Sequence, residues 1–133
     1  MGILKKILIV DDEPDILEFL SYNFRKKEFT VITAKNGLEG MRLAAIELPQ
    51  LIISDILMPE IDGIEMCKAI RKIPQQSSTP FLFITAVNSQ HKALYAMLSG
   101  ADLYLAKPIK FEYLLPIVNQ LMEKKDSHSS NTF

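Results

Sequence analysis

Five short apolar runs punctuate the chain: Ile7-Leu8-Ile9-Val10, Phe29 to Ala34, Leu51-Ile52-Ile53, Phe81-Leu82-Phe83-Ile84 and Leu103 to Ala106. Several are apolar at every position, as in strands covered on both faces. Between them apolar residues recur at helical spacing. Ile16, Leu17, Leu20 and Phe24 form one set; Leu38, Met41, Ala45 and Leu48 a second; Ile64, Cys67 and Ile70 a third. Leu94, Met97 and Leu98 form a fourth set, and Leu114, Ile117, Val118 and Leu121 a fifth. Each set predicts one helix with a core-facing stripe. Strict alternation of strand and helix predicts an α/β fold, a parallel sheet with helices on both faces and right-handed crossovers.

The punctuation agrees. Pro14 suits a first helical turn, and Asn36-Gly37, Pro49, Asp62-Gly63, Pro74, Pro80 and Gly100 fall at element edges. Pro116 lies past the first turn of the last helix, so that helix is expected to kink there or begin late. Lys124 to Phe133 is polar and serine-rich. The expectation is one domain over 1–125 and a flexible polar tail, or the start of a linker, over 126–133.

Composition narrows the function. The 133 residues suit one domain, and 48% hydrophobic residues fill a core. Fifteen basic residues against sixteen acidic ones give a net charge of -1, which argues against a nucleic-acid-binding stripe. The lone Cys67 forms no internal disulfide and fits a reducing compartment. No apolar run is long enough to span a bilayer. A soluble, cytoplasmic protein without direct nucleic-acid or membrane binding is expected.

Ligands of open α/β sheets bind beyond the carboxyl ends of the strands. There the sequence delivers Asp11, Asp12 and Glu13 after the first run, Asp55 after the third, Thr85 after the fourth and Lys107 after the fifth. In a flavodoxin-like order 2-1-3-4-5, Asp11 and Asp12 would face Asp55 across the switch point between strands 1 and 3. Three carboxylates and one ammonium leave a deficit of positive charge among hard oxygen ligands, which calls for magnesium, with manganese as a substitute. A phosphoryl group on Asp55 would then lie between metal, Lys107 and the Thr85 hydroxyl, the placement that phosphoryl transfer requires. A carboxylate is a competent covalent acceptor.

The segments "ILIVDDEPDIL", "LIISDILMPEIDGIEMCKAIR", "PFLFITA" and "GADLYLAKPI" together resemble the receiver domain of two-component response regulators, over about Lys5 to Lys125. The resemblance implies a (βα)5 receiver fold and a phosphorylation-activated switch rather than a turnover enzyme. Asp55 would be phosphorylated from a phosphohistidine of a histidine kinase or histidine phosphotransfer protein. Asp12 would ligate Mg2+ directly, Asp11 through water, and the Leu57 carbonyl would be a further ligand beside Asp55. Lys107 would pair with the acceptor, and its bond to Pro108 would be cis. Thr85 and Tyr104 would be the switch pair. A downstream partner would read the face made by the fourth helix, fifth strand and fifth helix; a phosphorylation-dependent dimer stays open. So does the choice between a stand-alone regulator, a relay intermediate and part of a longer chain. Two departures, Leu103 for a common acid and Ile109 for a common phenylalanine, touch that output face. Leu57 and Val87 flank the path of an attacking water and are apolar, so slow loss of phosphate is expected.

Each residue alone has a plainer role. Asp11-Asp12 could cap the first helix, Tyr104 could be core, Cys67 reads as a small core residue, and His91 and His128 as solvated. Arg25-Lys26-Lys27 suits a helix C-terminus. Rival functions fare worse. A docking module that works without phosphorylation has no need of the cleft. An aspartyl-phosphate phosphatase needs a second acid where Leu57 stands. A flavin binder needs a Ser/Thr/Gly-rich loop where Asp11 to Pro14 stand.

Overall fold

The computed structural model describes residues 5–86 and 90–130, with side chains of the last helix described to Glu123. Val87 and the side chain of His128 lie outside the described residues. The elements are β1 (Lys5–Val10), α1 (Pro14–Lys26), β2 (Phe29–Ala34), α2 (Gly37–Glu47), β3 (Leu51–Ser54), α3 (Gly63–Arg71), a 3-10 turn (Pro74–Gln76), β4 (Phe81–Thr85), α4 (Gln90–Leu98), β5 (Leu103–Ala106) and α5 (Phe111–Ser130). All strand pairs are parallel, in the order β2-β1-β3-β4-β5. This is the expected flavodoxin-like sheet.

Successive side chains of a strand point to opposite faces, and the core divides accordingly. Leu8, Val10, Ile52, Phe81 and Phe83 pack toward α2, α3 and α4. Ile7, Ile9, Leu51, Ile53, Leu82 and Ile84 pack toward α1 and α5. On the second face Phe24 meets Phe29 edge-on at 5.1 Å and Phe111 at 4.8 Å, tying α1, β2 and α5 together. Helix starts follow local chemistry. Asn36 accepts the Glu39 N–H at 2.8 Å to cap α2, and Asp62 accepts the Glu65 N–H at 2.8 Å to cap α3. Arg25 and Lys26 close α1, as predicted. Cys67 is buried, and burial pushes its thiol pKa up.

Two predicted stripes face the core only in part, and on α2 only Met41 of the set packs against it. On α2 Leu38 is 60% exposed, Ala45 is exposed and Leu48 sits at the C-cap; the helix instead buries Gly37, Gly40 and Ala44. A Cβ on Gly40 would crowd the Met66 sulfur and Val10, so small residues let the helix backbone lie close to the sheet. On α4 only Ala96 is buried, and Leu94, Met97 and Leu98 are exposed. The last helix begins at Phe111, with Pro116 inside it, rather than after the proline. It continues through 126–130, the first part of the segment expected as a tail.

Candidate functional site

The sheet's own hydrogen-bond ladder runs one residue past the strands and fixes the site. The Asp11 N–H donates to the Ala34 carbonyl at 3.1 Å, the Asp55 N–H to Val10 at 3.0 Å and the Lys107 N–H to Thr85 at 2.9 Å. Asp11 and Asp55 are therefore held as rigidly as strand residues, and both are buried. Behind Asp55 the chain turns into α3. Gly63 donates to the Ile56 carbonyl at 2.8 Å, and a Cβ there would collide with the Asp55 carbonyl, so this close approach needs glycine. The peptide bond between Lys107 and Pro108 is cis, as the resemblance implied.

The side chains converge on one ammonium group. Lys107 Nζ lies 2.9 Å from Asp55 Oδ2, 3.1 Å from Asp11 Oδ2 and 3.1 Å from Glu13 Oε1. Three N–H donors thus meet three acceptors. The other Asp55 oxygen, Oδ1, accepts the Ile56 N–H at 2.7 Å, and Asp11 Oδ1 accepts the Glu13 N–H at 2.9 Å. Burial alone lowers the Lys107 pKa, but the bonds to Asp55, Asp11 and Glu13 outweigh it and hold the group above the usual lysine value. Burial raises the Asp11 carboxyl pKa, against the pull of the Glu13 N–H and Lys107. Both values are raised, which holds the lysine charged, while burial makes the aspartate resist charge.

One oxygen each from Asp11, Asp12 and Asp55 lies within 4.8 Å of the others, so this group can hold a metal ion. The donors suit a hard divalent cation: all are oxygen, two are buried, and Asp12 is exposed and leaves one side open to water. Leu57 is 58% exposed beside them in sequence. Thr85 is fully buried at the end of β4. Tyr104 is half-buried on β5, in register with Phe83, and packs on the α2–α3–α4 side of the sheet. Burial raises its phenol pKa, and the Asp55 charge adds to the rise.

Sequence reasoning placed Glu13 at the first strand end but gave it no role. It occupies the N-cap position of α1 but makes no side-chain cap hydrogen bond. Glutamate is long for a cap, and its carboxylate reaches Lys107 instead. The cleft therefore holds four carboxylates against one ammonium, more acidic than the sequence reading supposed. Asp11 and Asp12 do not cap α1 in the ordinary way either; only Asp11 bonds there, to the N–H of the cap residue itself.

Known proteins are similar to this chain in sequence and fold. A family model described as the response regulator receiver domain matches residues 7–119. The alkaline phosphatase synthesis transcriptional regulatory protein PhoP of Bacillus subtilis is 41% identical over 104 residues, covering 78% of this chain and 42% of that protein. The DNA-binding dual master transcriptional regulator RpaA of Synechocystis is 33% identical, covering 92% of this chain and 51% of its own length. This chain thus spans about half the length of these relatives. Among solved structures, the chemotaxis protein CheY4 of Vibrio cholerae superposes with a TM-score of 0.85 at 33% identity, covering 90% of this chain and 99% of that one. A CheY-like receiver domain protein of Methanospirillum hungatei reaches a TM-score of 0.91 at 25% identity, covering 95% and 99% of the two chains. With its strand order, its acidic cleft and a family match over most of its length, the chain belongs to the response regulator receiver domains of two-component systems.

Proposed function

We propose that Asp55 accepts a phosphoryl group from a phosphohistidine of a histidine kinase or phosphotransfer protein, and that the acyl phosphate switches the molecule's output face. The observation that carries this reading is the Lys107 ammonium 2.9 Å from Asp55 Oδ2, in a cleft of further carboxylates. In the transfer Asp55 Oδ2 forms the new bond to phosphorus while the bond from phosphorus to the donor nitrogen breaks. The electron pair of that bond stays on the donor imidazole. Lys107 gives up its hydrogen bond to Oδ2 and meets the incoming phosphoryl oxygens. Mg2+, with Mn2+ as a substitute, would be held by Asp11, Asp12, Asp55 and the Leu57 carbonyl, and when bound it would offset charge on the phosphoryl oxygens. The ladder bonds of Asp11, Asp55 and Lys107 keep these groups in place before any donor arrives, so little reorganisation remains for the reaction.

Thr85 and Tyr104 are the switch pair in this reading, passing the change to α4, β5 and α5. The exposed Leu94, Tyr95 and Leu98 of α4 and Tyr113 of α5 give a partner an apolar surface to read. The test is intact-mass measurement after incubation with magnesium and acetyl phosphate. The expected result is a metal-dependent gain of one phosphoryl group, absent in Asp55→Asn. Equal uptake by Asp55→Asn would reject the assignment. If the wild-type protein neither takes up phosphoryl nor binds beryllofluoride, the phosphorylation-independent docking module becomes the better reading.

A further inference from the structure

Lys107 has a partner that the acceptor chemistry does not require. Glu13 lies outside the group of carboxylates that can share a metal, and its side chain is 60% exposed whereas that of Lys107 is 13% exposed. Its carboxylate stands at the mouth of the cleft, and it is bound to an ammonium 94 residues away rather than capping its own helix. All three Lys107 protons are taken in the resting molecule, by Asp55, Asp11 and Glu13. When Lys107 turns from Asp55 Oδ2 to the phosphoryl oxygens, its contacts with Asp11 and Glu13 must follow the ammonium or give way. Asp55 and Asp11 are fixed by ladder bonds and buried. Glu13 is the exposed one, with a side chain free to swing into water.

We propose that Glu13 is a positioning residue for Lys107: it holds one ammonium proton at the cleft mouth in the resting state and surrenders it to the phosphoryl group. This rests on the phosphoryl-acceptor reading of Asp55. A contact present only before binding opposes binding, because its loss is part of the binding equilibrium. Removing Glu13 should therefore tighten the binding of a phosphoryl mimic. The exposed acid Asp15, on the same helical turn, supplies a control that changes charge equally.

The experiment uses the full chain with magnesium and titrates beryllofluoride into wild type, Glu13→Gln and Asp15→Asn, at low salt and at about 1 M salt, where the Debye length is ~3 Å. Glu13→Gln should bind about threefold tighter and should keep part of that advantage at high salt, because a contact at 3.1 Å is screened less than longer-range repulsion. An advantage that vanishes in salt, or that Asp15→Asn matches, overturns the proposal in favour of general charge repulsion. A second measurement needs no phosphoryl mimic: proton exchange of the Lys107 ammonium, followed by nuclear magnetic resonance in the resting protein. Exchange should be several-fold faster in Glu13→Gln and unchanged in Asp15→Asn. Unchanged exchange in Glu13→Gln overturns the proposal. Failure of the wild type to bind beryllofluoride at all counts against the Asp55 reading, and the ammonium exchange then still decides whether Glu13 holds Lys107.

Discussion

Asp55 and Leu57 sit two residues apart and do opposite things. Asp55 is buried with both oxygens engaged; Leu57 is 58% exposed and can neither accept nor donate a hydrogen bond through its side chain. Hydrolysis of an acyl phosphate needs a water aligned with phosphorus, and an apolar neighbour gives that water nothing to bond. The phosphorylated protein is therefore expected to persist for minutes or longer. Leu57→Asn, which introduces a polar side chain beside the proposed acceptor, should shorten the lifetime several-fold. Loss of the phosphoryl mass in a time course after donor removal measures both. A wild-type lifetime of seconds, or an unaltered one in Leu57→Asn, would refute this role. The reasoning extends from one residue because Asp55 itself is pinned from both sides, by Val10 through its N–H and by Gly63 packed behind its carbonyl.

Among the elements, the strands and the candidate site were legible for a shared reason. Buried parallel strands carry apolar residues on both faces, and β1, β3 and β4 stand out in the sequence for that reason; the edge strands β2 and β5, only partly buried, still match the structure at the same limits. The reactive residues then follow at the strand ends. The helices were less legible where periodicity misled. On α2 the eye follows Leu38, Met41, Ala45 and Leu48, but of these only Met41 packs on the core, and the buried positions are Gly37, Gly40 and Ala44, because close packing selects for lack of size. Glu13 was visible at the first strand end, but its bond to Lys107 was not legible, because that partner lies 94 residues away and meets it only in the fold. The α2 correction has a measurable sign. Leu48 has φ 48°, in the left-handed region, and is 47% exposed. A left-handed backbone costs a residue with a Cβ roughly 1–2 kcal/mol, and glycine is the usual residue there. Leu48→Gly should therefore leave stability unchanged or raise it by up to about 1 kcal/mol in urea denaturation. Were Leu48 part of a core stripe, truncating it would cost about 2–5 kcal/mol.

For the whole molecule, the cleft sets function against stability. The sheet buries Asp11 and Asp55 beside each other with Lys107 as their only common cation among the described residues, and Asp12 and Glu13 add further negative charge. Burial raises the Asp11 pKa, which means that keeping it charged opposes folding in the absence of metal. A divalent cation that binds the native cleft and not the unfolded chain should reverse this. At a hundredfold excess over Kd, binding stabilises by about 2.7 kcal/mol. Magnesium is therefore expected to raise the urea midpoint of the wild-type protein in a concentration-dependent way, and chelation to remove the gain. Asp11→Asn keeps the shape and the acceptor oxygen for the Glu13 N–H but deletes a buried charge. In chelator it should be more stable than wild type by ~1 kcal/mol, and it should gain less from magnesium. The two proteins should then change rank between chelator and saturating metal. If Asp11→Asn is the less stable in both conditions, the carboxylate cluster is a structural ion-pair network rather than a strained site that waits for a cation.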